Sequence, residues 1–328
     1  MPRPPAAKSA GEFGRIDRYL KPLAAGFPGA LGLTDDAAVF SIPADRELVI
    51  TTDAMVAGVH FLPDDPPGDI AAKLLRVNLS DLAAMAADPL AYSLVTSLPA
   101  DIGDDWLAAF AAGLAEDQRQ YGIHLMGGDS VSTPGPITLS VTAFGLVPKG
   151  QALRRRTTGT NDLIFVSGTI GDAALGLRVL QGKLNAADPD PLIDRYRRPQ
   201  PRLTLVPTLR RFATAGLDVS DGLVADLAHL CEVSGRAATI HADRVPLSPA
   251  TRAAITADPT LLATALTGGD DYEIVFTVKP EDREALLASG ADVTEIGRLT
   301  PEGIAGTVTV LDRSGAPMPL AAQGWTHF

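Results

Sequence analysis

Ile70-Ala71-Ala72-Lys73-Leu74-Leu75-Arg76-Val77-Asn78-Leu79-Ser80-Asp81-Leu82-Ala83-Ala84-Met85 is the stretch on which the fold turns. It reads as the body of a helix running from Asp69 to Ala86. Leu74, Asn78, Asp81 and Met85 follow steps of four, three and four, so all project from one side of that helix, the side that faces the core. An ionised carboxylate on an apolar stripe costs several kcal/mol unless it is paired or bound to a metal. The neighbouring sequence offers Asp81 no partner, and a metal ion would serve. The alternative is that Ser80 or Asp81 caps a shorter helix.

Working outward, the segment has an echo. Asn78-Leu79-Ser80-Asp81 precedes Leu82-Ala83-Ala84, and Asp218-Val219-Ser220-Asp221 precedes Gly222-Leu223-Val224. The match is short enough for chance and also suits two related halves. In the first half, strands are expected over Glu47 to Thr52, Ile123 to Met126 and Ile137 to Phe144, with a second helix over Asp104 to Gln120. The polar stretch from Val147 to Asp162, carrying Lys149, Gly150, Arg154, Arg155 and Arg156, suits a linker. The boundary is placed near residue 150, giving domains 1-150 and 151-328. Beyond it, strands are expected at Leu163 to Ser167, Glu273 to Val278 and Val308 to Leu311. Helices are expected at Gly171 to Gln181, Pro201 to Ala213, Asp221 to Glu232 and Pro280 to Ala288. The fold class is α/β, each half a mixed sheet backed by helices.

Bulk properties narrow the function. At 328 residues the chain is long enough for about two cores of ~150 residues. Its 46% hydrophobic and 20% charged residues are ordinary for a globular protein. No secretory leader and no membrane span is expected. With one cysteine, Cys231, no internal disulfide can form, which points to the cytoplasm. The 28 basic and 39 acidic residues give a net charge of −11, the wrong sign for neutralising nucleic-acid phosphates. The same sign repels any phosphorylated ligand unless cations bridge the two.

The placement of the acids matters more than their number. Asp53 ends the run Leu48-Val49-Ile50-Thr51-Thr52, and Asp129 ends Leu125-Met126-Gly127-Gly128, so both are expected at strand ends, where ligands of α/β sheets gather. Asp35 and Asp36 are adjacent like charges that repel unless solvated or sharing a cation. Asp218 and Asp221 bracket Ser220. Each has a plainer reading as a turn, cap or solvated acid; their recurrence favours a shared chemical purpose. There is no G-x-x-x-x-G-K-[ST], no G-x-G-x-x-G after a strand and no G-x-S-x-G. The five histidines lack H-E-x-x-H spacing, and all-oxygen ligands favour magnesium, calcium or manganese.

At this point the chain resembles the thiamine-monophosphate kinase family of the aminoimidazole-ribonucleotide synthetase-like superfamily. The resemblance runs through Gly11-Glu12-Phe13-Gly14-Arg15-Ile16, Asp35-Asp36-Ala37-Ala38-Val39, Thr51-Thr52-Asp53, Gly58-Val59-His60-Phe61 and Val77-Asn78-Leu79-Ser80-Asp81-Leu82-Ala83-Ala84-Met85. It continues through Gly127-Gly128-Asp129, Ser167-Gly168-Thr169-Ile170-Gly171-Asp172, Arg198-Pro199, Asp218-Val219-Ser220-Asp221-Gly222-Leu223, Gly268-Gly269-Asp270-Asp271-Tyr272-Glu273 and Gly324-Trp325-Thr326-His327-Phe328.

The resemblance implies direct, in-line transfer of the ATP γ-phosphoryl group to thiamine monophosphate with several magnesium ions, in a homodimer formed through the N-terminal domains. It implies magnesium ligands at Asp36, Thr51, Thr52, Asp53, Asp81, Asp129, Asp218 and Asp221, with Asp53, Asp81 and Asp129 acting catalytically through the metal. It places Gly128, Asp129, Arg155 and Ser220 against ATP, and His60, Asp270 and Trp325 against thiamine monophosphate. On residues alone, Arg155 also reads as a solvated arginine, Trp325 as packing and His60 as a core or solvated histidine. Two positions depart from the family pattern. Thr34 replaces the usual glycine before the aspartate pair, where threonine resists positive φ, and Asp270 replaces a glutamate. The rivals are another ATP-using synthetase of the superfamily and a non-catalytic sensor of thiamine diphosphate or nucleotide.

Overall fold

The computed structural model describes residues 12–157, 159–320 and 324. The chain divides into two compact units. The first comprises residues up to Pro43 with Ile50–Asn78 and Pro89–Gly145; the second comprises Ala44–Val49, Leu79–Asp88 and the chain from Leu146 on.

The first unit is built on four strands, β1 (Arg46–Val56), β2 (Asp88–Leu98), β3 (His124–Ser132) and β4 (Thr138–Pro148), in the order β1-β4-β2-β3. β4 alternates buried and half-buried residues along its whole length, so one face is packed and the other open. The helices Pro67–Ala84 and Asp104–Tyr121 approach closely at glycines: a Cβ on Gly113 would lie 2.5 Å from the Gly68 carbonyl oxygen. Arg76 locks the pair with a forked contact to Asp117, at 2.8 and 2.7 Å.

The second unit carries β5 (Leu163–Ser167), β6 (Ala213–Asp218), β7 (Ala237–His241), β8 (Ile274–Val278), β9 (Val293–Thr300) and β10 (Val308–Leu311), in the order β10-β7-β9-β5-β8-β6. Only the β10–β7 pair is parallel. β5 and β8 are buried at every position, which explains their mainly apolar sequences, broken only by the buried Ser167 and Thr277. Alternate residues feed two cores: Ile164, Val166 and Val275 pack with Leu227 and Leu230 of the helix Leu223–Ser234, while Leu163, Phe165 and Phe276 pack with Leu209 and Phe212 of the helix Val206–Phe212. Phe165 and Phe276 stack at 5.8 Å between centroids. Fully burying each ring contributes about 2–3 kcal/mol.

Three expectations change. β1 runs on to Val56 and β3 to Ser132, so Asp53 and Asp129 lie inside strands rather than ending them. The helix expected from Pro201 starts at Val206, after a 3-10 turn over Leu203–Leu205. Strands β2, β6, β7 and β9 were not anticipated, nor were the helices Asp190–Arg197, Pro249–Ala257 and Leu261–Thr267. The sheets backed by helices are as expected. No described helix is long and apolar enough to cross a membrane.

Candidate active site

In the second unit the chain brings Ser80 and Asp218 together across a long sequence separation. Asp218 ends β6 and is 5% exposed, and the buried Ser80 hydroxyl, one residue before Asp81, donates to its carboxylate at 2.8 Å. Asp81 occupies the last turn of the helix Pro67–Ala84 and is half-buried. It is therefore a helical residue rather than a cap on a shorter helix.

The turn after Asp218 is held by a carboxylate that the sequence reading missed. Asp226 accepts three successive main-chain N–H groups, from Ser220, Asp221 and Gly222, at 3.0, 2.9 and 3.1 Å. Burial pushes the Asp226 carboxyl up to about 7; the charge of Asp221 adds to the rise, and the three N–H donors oppose it. Such a row of N–H groups at a helix N-terminus is what a phosphate-binding loop presents to its ligand. Here the protein's own acid fills it. The signal available in the sequence was an acid within the first turn after Asp-Gly.

Asp270 meets this turn from the other side, donating its N–H to the Ser220 carbonyl at 2.8 Å, while Tyr272 N–H reaches Val219 at the same distance. Asp270 and Tyr272 both have positive φ, 71° and 51°. Such angles are costly for most residues and least so for Asn and Asp, which gives a physical reason for aspartate where the family has glutamate. The two other acids of Gly268-Gly269-Asp270-Asp271-Tyr272-Glu273 are interior. Asp271 accepts the Gly171 N–H at 2.7 Å; burial holds its carboxyl well above the usual range, partly offset by that bond and by Arg195. Glu273 is fully buried between Arg195, Arg202 and the Ser167 hydroxyl. Arg155 is exposed.

In the first unit a cleft of about 510 Å³ is lined by Asp35, Asp36, Gly128 and Asp129, with Ile16, Leu20, Leu33 and Met126 as apolar wall. The three acids are exposed. Thr34 sits at φ −110°, open to any residue, so the conflict expected from threonine does not arise; positive φ falls instead on Leu31 and Leu33. Gly128 is required by the strand pairing itself. It pairs with Leu94 at φ +157°, and a Cβ there would lie 1.8 Å from the Leu94 carbonyl oxygen. Gly128→Ala is accordingly expected to cost ~2 kcal/mol of stability, read as a lowered midpoint in thermal unfolding.

Strand alternation separates two residues that the sequence set side by side. Thr51 and Asp53 share one face of β1, whereas Thr52 projects to the other, its hydroxyl donating to Thr142 at 3.0 Å. The Thr52 hydroxyl is thus on the face opposite the Thr51 and Asp53 side chains. His60 lies in the tight loop after β1, where its Nδ1 accepts the Val56 N–H at 3.0 Å. Trp325 lies outside the described residues.

Among the described residues no three His, Cys, Asp or Glu side chains gather into a metal centre. The expected convergence of acids is thus limited, within each unit, to small groups. The donors are nonetheless of the kind magnesium takes: it keeps much of its water and is held by one or two carboxylates together with ligand phosphates, not by a full protein cage.

Residues 34–147 match the AIR synthase related protein N-terminal domain and residues 159–309 the corresponding C-terminal domain. Thiamine-monophosphate kinase of Caulobacter vibrioides is 44% identical over 98% of this chain and 92% of its own. The crystal structure of thiamine-monophosphate kinase from Stenotrophomonas maltophilia superposes with a TM-score of 0.77 at 44% identity, covering 85% of this chain and 89% of that one. AaThiL, complexed with AMPPCP and TMP, gives 0.78 at 31% identity over 97% of both chains. The chain belongs to the thiamine-monophosphate kinase family, within the AIR synthase related proteins.

Proposed function

We propose that the protein transfers the γ-phosphoryl group of ATP to thiamine monophosphate, directly and in line, yielding thiamine diphosphate and ADP. The observation that carries this reading is 44% identity over 98% of the chain to a kinase of that name. The filled N–H row at Ser220–Gly222 supports it, because phosphates facing these acids need cations in place of a main-chain cradle. Magnesium ions held by Asp36, Thr51, Thr52, Asp53, Asp81, Asp129, Asp218 and Asp221 would supply that charge neutralisation.

The chain's own groups do the positioning. The acceptor is already a phosphate oxyanion, so no general base is needed; the residues have only to hold the two substrates in line. In this reading the first domain, 1-150, binds nucleotide and metal, and 151-328 completes the machinery with Arg155, Ser220 and Asp270. Gly128 and Asp129 border the nucleotide, and Arg155 offers its planar fork to phosphate. His60 and Asp270 face thiamine monophosphate, as does Trp325.

A homodimer through the first domain belongs to the same proposal. It is supported by the open sheet face, where Ile50, Val95 and Val131 are 56%, 40% and 46% exposed. A cytoplasmic location fits the buried, free Cys231. The decisive assay incubates purified protein with ATP, magnesium and thiamine monophosphate and looks for thiamine diphosphate and ADP; inversion at a chirally labelled γ-phosphorus supports direct transfer. Magnesium-dependent binding with no ADP would replace the kinase by a sensor.

A further inference from the structure

Lys73 is among the most deeply buried large side chains of the described chain, 2% exposed in the helix Pro67–Ala84. A buried ammonium is expensive, and lysine is almost never fully buried without a partner that repays it. Its Nζ donates to the main-chain carbonyl of His60 at 3.0 Å. Asp69 stands one turn earlier on the same face of that helix, itself 9% exposed. Asp65, 6% exposed, accepts the Leu62 N–H at 2.8 Å and closes the far end of the loop. The loop is drawn tight by its own backbone: His60 N–H reaches the Val56 carbonyl at 3.0 Å, Gly58 N–H the Phe61 carbonyl at 2.8 Å, and the Phe61 ring is buried.

The ring of His60 is fixed chemically as well as in place. Its Nδ1 accepts the Val56 N–H at 3.0 Å. A nitrogen that accepts cannot carry a proton, so a neutral imidazole in this position has its hydrogen on Nε2. The imidazolium and the other tautomer would both set two donors against each other. Nε2–H is then a donor of fixed direction, the type of group that recognises an anionic oxygen.

We propose that Lys73 is a positioning residue for His60: its buried ammonium holds the His60 carbonyl while the Val56 N–H holds Nδ1, so that a neutral imidazole presents Nε2–H to an anionic oxygen of the phosphorylated substrate. The inference rests on the reading of His60 as facing thiamine monophosphate. It adds a residue that acts through His60 and assigns the ring a donor's role, not an acid's or a base's.

Two measurements test it. In protein labelled with ¹⁵N-histidine, two-bond ¹H–¹⁵N correlation at neutral pH should show His60, identified by its loss in His60→Gln, with a pyridine-like Nδ1 and a pyrrole-like Nε2. A protonated Nδ1 overturns the proposal, and this spectrum stands whether or not the protein phosphorylates anything. In kinetics, Lys73→Met keeps the stem and removes the ammonium; it should raise KM for thiamine monophosphate about tenfold and leave KM for ATP within about twofold, and Lys73→Arg should recover part of the loss. Equal losses for both substrates, or an unchanged KM for thiamine monophosphate in His60→Gln, overturn it. Wild-type protein that forms no thiamine diphosphate would remove the kinase reading and leave the spectrum to decide the arrangement of Lys73, His60 and Val56.

Discussion

Asp81→Asn is expected to reduce turnover at least about a hundredfold while leaving the unfolding midpoint nearly unchanged, measured by ADP release and thermal unfolding on the same preparation. The substitution keeps shape and removes one negative charge from a half-buried position in the last turn of the helix Pro67–Ala84. Its neighbour Ser80 donates to the buried Asp218, so the helix turn that carries Asp81 is tied to the end of the strand that carries Asp218 by a hydroxyl that the substitution does not touch. Like charges so placed raise the local negative potential, which a divalent cation relieves. Loss of one charge should therefore weaken magnesium binding first, with a higher magnesium concentration needed for any residual rate. Turnover close to the unsubstituted protein would remove Asp81 from the metal set.

Why Asp81 could be singled out from sequence, and Asp226 could not, follows from what periodicity records. A carboxylate on the inner stripe of a long helix is conspicuous because its neighbours at steps of three and four are apolar or amide. Asp226 lies in the first turn of the helix Leu223–Ser234 and makes its contacts backward, to main-chain N–H groups that carry no side-chain signature. The strands followed the same logic. β5 and β8 stood out as mainly apolar runs because both faces are buried. β2, which carries Ser93, Thr96 and Ser97 among its apolar residues, did not. Asp53 and Asp129 were assigned to strand ends because polar residues usually close an apolar run, yet each strand continues with its sheet pairing or burial intact past the acid. Gly128, which the resemblance places against ATP, is also demanded by its close approach to the Leu94 backbone, a partner that no local pattern announces. Buried pairing across more than seventy residues, as between Arg202 and Glu273, leaves no local pattern at all.

That pairing underlies the largest expected effect on stability. Glu273→Ala should cost about 3–5 kcal/mol, read from the denaturant midpoint, because it leaves buried cations without their counter-charge. Glu273 is fully buried, receives Arg195 at 2.7 Å and Arg202 Nε at 2.6 Å, and takes the Ser167 hydroxyl at 2.6 Å. Arg195 is the more exposed to the loss in energetic terms, since it is 8% exposed and its Nε and Nη1 already lack partners among the described residues. The same acid's main-chain carbonyl accepts the Val219 N–H at 2.7 Å, directly beneath the turn that carries Ser220 and Asp221. A structural role and a role in the site are therefore separable by one comparison. Replacing Glu273, Arg195 and Arg202 together by apolar residues of similar volume should recover much of the stability, as buried ionic groups exchanged whole often do. Should that triple variant regain its fold but not its turnover, the three charges contribute little net stability and serve mainly to set the geometry of the 218–222 turn; should both return together, the acids of that turn are positioned by Asp226 and the sheet alone.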